Sequence, residues 1–295
     1  MKKILLWILG IALVGIIGVG ATGYYFVEKT TSKVHSNDVT LSKRSDTKTN
    51  AGQPVAYLLL GTDTGSLGRT DKGRTDTMIV MVLNPKTQTT TMISLERDTL
   101  IHINGNYAKL NAAYAYGDAQ AAVDEVNQLL NIKLDGYLLV NMGGLQKLVD
   151  AVGGVTVTSP LTFSYEGYNF TQNQSASLDG NGALAFSRMR YDDPEGDYGR
   201  QIRQQLVIQS IMNKMKTNPT SVLSTTFLNA VSDNVRSDVS LTSAKNLALK
   251  YKPAAENIKR DQMKGTGEMI DGVSYQTISN DEFNRVHTEV TNALK

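Results

Sequence analysis

Residues Ile4 to Val27 form a run of 24 positions without a charged side chain, behind Lys2 and Lys3. That is long enough to cross a hydrocarbon core of about 30 Å, whereas the apolar part of a cleaved signal peptide spans only about 7–15 residues. The reading is an uncleaved transmembrane signal-anchor helix, residues 4–27, after a cytoplasmic tail of residues 1–3. Trp7 and the pair Tyr24-Tyr25 sit near its two ends, where interfacial aromatics belong. Lysines on the N-terminal flank put that end in the cytoplasm and everything after it outside the cell membrane. Glycines 10, 15, 18, 20 and 23 are read as features of a permissive anchor rather than of helix pairing.

The polar composition of residues 28–53 reads as a juxtamembrane linker, helical in part and without chemistry of its own. Residues 54–295 are the expected folded domain. The chain of 295 residues has no cysteine, which excludes disulfides, thiolate metal sites and cysteine nucleophiles. Three scattered histidines (35, 102, 287) do not suggest a histidine-rich metal site, and a net charge of +2 argues against a nucleic-acid partner.

The folded part opens with an apolar run, Val55–Leu60, ending in Gly61-Thr62-Asp63. A second strand is predicted over Thr77–Leu83 and a third over Gln88–Ser94, joined by the tight turn Asn84-Pro85-Lys86-Thr87. In such an up-down-up meander, the end of strand one, the start of strand two and the end of strand three share one sheet edge. Asp63, the trio Arg74-Thr75-Asp76, and Arg97-Asp98 therefore converge there. Carboxylates gathered with arginines suit metal and phosphate chemistry.

Further along, Ala-rich helical sequence runs to Leu130 with a break at Gly117. Tyr137–Val140 reads as a strand, Gly144–Val152 as a short helix, Val155–Ser159 as a strand and Phe163–Gln172 as a hairpin. Leu178–Arg190 is predicted helical. Near the end come a strand at Val273–Ile278 and a helix at Asp281–Leu294. Strands interleaved with helices indicate a layered α/β domain with a mixed sheet.

The stretch from Arg188 to Gln205 holds four arginines (188, 190, 200, 203) and four acids (192, 193, 195, 197). Pro194 and Gly196 break any helix at its centre, and Asp197 is the expected N-cap of a helix running to about Lys216. At about 100° per residue, Arg200, Gln204, Val207, Ile208, Ile211 and Met215 share one face. A buried stripe continued by an arginine and an amide suggests a cavity floor able to hold an anion; the alternative is a solvated, salt-bridged loop in which the four acids cancel the four arginines. Gly68 to Thr75 nearly matches a phosphate-loop pattern, but Arg74 stands where lysine is needed and a strand follows instead of a helix.

Leu58-Leu-Leu-Gly61-Thr-Asp63, Gly73-Arg-Thr-Asp-Thr-Met78, Ser94-Leu-Glu-Arg-Asp-Thr99 and Lys109-Leu-Asn111 together resemble the LytR-CpsA-Psr family of cell-wall ligases. Val140-Asn-Met-Gly-Gly144, Val152-Gly-Gly-Val155 and the Arg188–Gln205 stretch extend the likeness over about Val55 to Met215. The resemblance implies an α/β/α sandwich with an apolar tunnel for a lipid chain. It implies transfer of an undecaprenyl-pyrophosphate-linked glycopolymer to peptidoglycan through a phosphodiester, assisted by Mg2+. On the same resemblance, Asp63 and Asp76 hold the metal, with Asp71 as an alternative ligand. Arg74, Arg97, Lys109, Arg188, Arg190, Arg200 and Gln204 grip the phosphates, with Arg203 a secondary candidate. Arg97, Asp98 and Asp76 are the catalytic candidates, Asp98 either orienting Arg97 or acting as base. One departure is Leu95-Glu96 before Arg97, where relatives often carry proline. Two other readings use the same features: a hydrolase of lipid pyrophosphates, and a non-enzymatic envelope regulator.

Overall fold

A computed structural model describes residues 42–62, 73–218 and 224–295. The anchor segment Ile4–Val27, Asp63 and Asp71 lie outside the described residues. In chain order the elements begin with α1 (Ser42–Asn50), β1 (Val55–Thr62), β2 (Thr75–Asn84), β3 (Thr89–Ser94), β4 (Leu100–Ile103) and β5 (Asn106–Lys109). There follow α2 (Ala112–Leu130), β6 (Gly136–Asn141), α3 (Met142–Ala151), β7 (Val155–Thr158), β8 (Phe163–Tyr165), β9 (Tyr168–Phe170) and β10 (Ser175–Leu178). The chain continues through α4 (Gly180–Arg188), α5 (Asp197–Thr217), α6 (Thr225–Asn234), β11 (Val235–Ser237) and α7 (Leu241–Lys250). It closes with β12 (Asn257–Gln262), β13 (Thr266–Ile270), β14 (Val273–Thr277) and α8 (Asn280–Ala293).

The central sheet runs β11-β6-β1-β2-β3-β12. β1, β2 and β3 form the expected antiparallel meander, while β6 joins β1 and β12 joins β3 in parallel, so the sheet is mixed. Its middle strands are apolar at nearly every position because both faces are covered. Val55, Tyr57 and Leu59 point into one core with Val149, Phe186, Val207 and Phe227 of α3, α4, α5 and α6. Ala56, Leu58 and Leu60 point into the other with Val123 and Val126 of α2 and Val286 and Val290 of α8. This is the α/β/α sandwich. The break expected at Gly117 is present as a kink, with Gly117 and Asp118 both outside helical dihedrals within α2.

Three sequence readings need correction. The polar linker ends earlier than Gln53, because α1 is docked on the domain by polar contacts. Ser45 and Thr49 are fully buried, Ser45 Oγ lies 2.6 Å from Tyr57 Oη, and Asp46 accepts hydrogen bonds from Ser240 and Ser243. Arg44 and Lys48 both pair with buried Asp135, each at 2.8 Å. A helix held in this way shows no apolar stripe for a sequence to reveal. The second is an omission: the sequence suggests no strand at β12, which carries Lys259, Arg260 and Asp261. They form an edge strand, where charge blunts pairing with other chains. Third, α5 begins at Asp197 itself with Gly196 as N-cap, one residue earlier than read. Gly196 has φ +55° there, a backbone region that favours glycine.

Candidate active site

The meander does what its register requires. β1 and β2 pair through Leu60↔Met78 and Gly61↔Thr77, and Ile79 of β2 faces Ser94 of β3. Any Cβ at Gly61 would sit 2.8 Å from that of Thr77, so only glycine lets the two strands close at this edge. Asp76 and Arg97 meet there, Arg97 Nη1 donating to Asp76 Oδ1 at 2.7 Å.

The first turn of α5 completes the cluster. Arg200 donates from Nε and Nη2 to the two oxygens of Asp197 at 3.0 and 2.9 Å, and Nη2 also reaches the Asp76 carbonyl at 2.9 Å. Asp197 Oδ1 lies 3.4 Å from Arg97 Nη2, so one carboxylate holds both guanidinium groups. Burial opposes its charge, yet Arg200 and Arg97 outweigh burial and hold Asp197 below the usual carboxylate range. On the other side of Arg97, Asp98 Oδ1 pairs with Lys109 Nζ at 3.0 Å. Arg97 Nε is buried without a hydrogen bond among the described residues; Asp98 Oδ2 is 3.9 Å away.

Beneath this cluster a cavity opens between the sheet and α3, α4, α5 and α6, enclosing about 1120 Å3 with the open space at its mouth. Its walls are apolar, with Leu59, Leu138, Val140, Leu145, Ile211 and Phe227 among them, while Asp76, Asn141, Arg188, Arg200 and Gln204 provide polar lining. The α5 face running Arg200, Gln204, Ile208, Ile211 and Met215 lines it. At about 1.5 Å per residue that face is about 22 Å long. Val207, assigned to the same face, is instead buried in the core beside it. Gln204 Oε1 is buried with no hydrogen-bond partner among the described residues.

The other predicted residues divide. Arg188 lines the cavity and pairs with Glu166 at 2.7 Å. Arg74 is exposed just before β2. Arg190 lies off the cavity wall, its guanidinium 4.6 Å over the Tyr191 ring. Arg203 is corrected: it is fully buried and donates to the Phe186 and Met189 carbonyls and to Asp193, stacking 5.1 Å over Phe163. Its donors bind the segment that links α4 to α5, so it is a brace for that loop and not a phosphate ligand.

Sequence reasoning missed Asp197 as a clamp, although its i,i+3 spacing to Arg200 was the available signal. It also missed Glu96. This side chain is buried, accepts from Gln201 Nε2 at 2.5 Å, and is pushed up to about 7 by burial and by the neighbouring charge of Asp197. The folded-state value is raised, so its contribution to stability is fully present below about pH 4.5 and lost as pH rises through about 7. Glu96→Gln should flatten this dependence. Wild type is expected to lose on the order of 2–3 kcal/mol relative to the variant between pH 4 and 8, measured by urea unfolding across that range. Parallel curves for the two proteins would refute it.

Among the described residues no three His, Cys, Asp or Glu side chains group into a metal centre. Mg2+ needs only one or two carboxylates when phosphates and water fill its remaining positions. Asp76, about a quarter exposed on the cavity lining, fits such a partial site.

Comparison with known proteins matches the profile of the LytR_cpsA_psr family to residues 22–292. The chain belongs to the LytR-CpsA-Psr family. One relative, the polyisoprenyl-teichoic acid–peptidoglycan teichoic acid transferase TagU of Enterococcus faecalis, is 46% identical over 99% of this chain and 98% of its own length. The TagU of Bacillus subtilis is 37% identical over 100% of this chain and 97% of its own. Among solved LytR-CpsA-Psr-like structures, a crystal structure of a Streptococcus agalactiae protein superposes with a TM-score of 0.75. It shares 40% identity and covers 84% of this chain and 90% of its own.

Proposed function

We propose that this protein transfers a polyprenyl-pyrophosphate-linked glycopolymer onto peptidoglycan, forming a phosphodiester and releasing polyprenyl phosphate. The observation that carries the reading is one cavity with apolar walls and an arginine-bearing mouth. Such a space suits a single kind of molecule, a long apolar chain with a polyanionic head. The names of the TagU relatives point to teichoic acid as the polymer and peptidoglycan as the acceptor. The uncharged run Ile4–Val27 suggests that the protein works from a membrane anchor with its site on the outer side, where both substrates would meet.

The chemistry follows from the placement of charge. Arg200 and Arg188 line the cavity, and Arg97 is tied to Arg200 through the shared carboxylate of Asp197. Their positive charge, with Arg97 and Arg200 fixed in advance by Asp197 and Arg188 held by Glu166, would neutralise the pyrophosphate and let a sugar hydroxyl approach its phosphorus. The acceptor oxygen bonds to the sugar-bearing phosphorus as its O–H proton passes to solvent, the bridging P–O bond breaks, and the electron pair leaves with the lipid phosphate. A magnesium ion held by Asp76, with Asp63 as a second carboxylate, would supply further neutralisation of the phosphates when bound.

The test is transfer by purified protein from a lipid-linked teichoic acid precursor to isolated peptidoglycan, following polymer that sediments with the wall. Asp76→Ala is expected to lower the rate on the order of 10²–10³-fold while leaving the melting temperature near wild type. Arg97 retains Asp197 and Asp98 as partners in that variant. Release of free polymer without attachment would mark a hydrolase instead, and activity indifferent to EDTA would remove the metal role.

A further inference from the structure

From the cluster a line of contacts leads away from the cavity. Asp76 lines the cavity, Arg97 joins Asp76 to Asp98, and Asp98 joins Lys109; neither Asp98 nor Lys109 lines the cavity. Lys109 Nζ lies 5.9 Å from the centre of the Tyr275 ring, Tyr275 is 6.5 Å from Tyr107, and Tyr107 is 5.1 Å from His102. The β4–β5 hairpin imposes this order. Its register pairs Leu100 with Lys109 and His102 with Tyr107, which places these four on one face. The hairpin is tied down next to the cluster: Thr99 bridges to Gln276 in the residue after Tyr275, and Gln276 N donates to the Asp98 carbonyl at 2.9 Å. The Tyr107 ring is thus braced on two edges while half of its surface, 50%, stays exposed.

We propose that this strip is the subsite for the acceptor saccharide, binding a pyranose ring of a peptidoglycan glycan strand against Tyr107 and its hydroxyls against Lys109 and Asp98. The inference rests on the transfer reading above. A single exposed tyrosine needs no explanation. Here the ring packs beside His102 and Tyr275, and an ion pair stands between it and Arg97. Sugars combine an apolar C–H face with rim hydroxyls, and tyrosine beside a charge pair offers the matching apolar and polar surfaces.

The direction of attack selects the acceptor over the donor's own sugars. In phosphoryl transfer the attacking and leaving oxygens lie roughly in line through phosphorus. The leaving lipid phosphate belongs on the cavity side of Arg97, where its chain is buried. The attacking hydroxyl therefore arrives from outside the space the chain fills, and Asp98, Lys109 and Tyr107 extend from Arg97 without lining that cavity. The donor's polymer projects sideways from the same phosphorus.

Two measurements test this: transfer kinetics with solubilised, uncrosslinked peptidoglycan strands as acceptor, and direct calorimetric titration of the same strands into the protein. Tyr107→Ala should raise the acceptor KM and weaken strand binding on the order of tenfold. Tyr107→Trp should restore both, and donor affinity should stay at the wild-type value in each variant. Equal melting temperatures would exclude a folding effect. An unchanged acceptor KM in Tyr107→Ala, with transfer intact, overturns the subsite and leaves the transfer reading standing. A loss of donor affinity in place of acceptor affinity also overturns it, assigning the strip to the donor polymer. Strands that bind through Tyr107 but are never joined to polymer would support the subsite while refuting transfer.

Discussion

Arg200→Ala is expected to lower the affinity for a polyprenyl pyrophosphate by on the order of 2–5 kcal/mol, the usual cost of removing one member of a desolvated charge contact. Arg200 is 5% exposed, lines the cavity and reaches both the Asp197 carboxylate and the Asp76 carbonyl. Its planar fork makes those contacts with two nitrogens while still facing the cavity. Lysine brings a single ammonium and cannot span the same acceptors, so Arg200→Lys should recover only a small part of the loss. Calorimetric titration of the two variants against wild type measures this. The same substitution leaves Asp197 with Arg97 as its remaining arginine, so thermal melting should also fall. Melting that falls while affinity stays level across the three proteins would make Arg200 purely structural.

The second large effect is expected in the cavity itself. Ile211 projects from the lining face of α5 among apolar neighbours. Ile211→Trp would fill space that a prenyl chain needs, without touching the phosphate-binding end. Each CH2 kept out of an apolar site costs about 0.8 kcal/mol, so excluding roughly three of them costs about 2 kcal/mol. Undecaprenyl phosphate should therefore bind at least an order of magnitude more weakly to the variant, while geranyl pyrophosphate binds both proteins alike. Competition binding with the two ligands provides the comparison. Equal weakening of both would mean that the tryptophan disturbs the head-group site, and no weakening of either would mean that the chain lies elsewhere.

These expectations join the two halves of the site. Affinity comes from apolar area in the cavity, whereas orientation comes from guanidinium groups that are already fixed by Asp197 before any substrate arrives. Groups fixed in advance need little reorganisation as charge develops on phosphorus. That is why the carboxylate between Arg97 and Arg200 matters as much as the arginines.

The sequence by itself determined the layered α/β architecture, the antiparallel meander, the kink at Gly117 and most of the cavity-lining face of α5. Each of these is written in a contiguous segment, as alternation in a strand, a period near four in a helix or a glycine at a break. It also placed Asp76 beside Arg97, because the tight turn between β2 and β3 brings the start of one strand next to the end of the other. Only the tertiary structure decided that α1 belongs to the domain, that β12 is a strand, and that Arg203 is buried as a brace. Arg200 and Arg203 are three residues apart with the same charge, and what separates them is the partners they meet across the fold. Arg203 meets Phe186 and Met189, and Arg200 meets Asp76, more than a hundred positions away. Hydrophobic periodicity is a local property that a chain carries along its length, whereas the pairing of buried polar groups depends on which distant segments pack together, and that is settled only on folding.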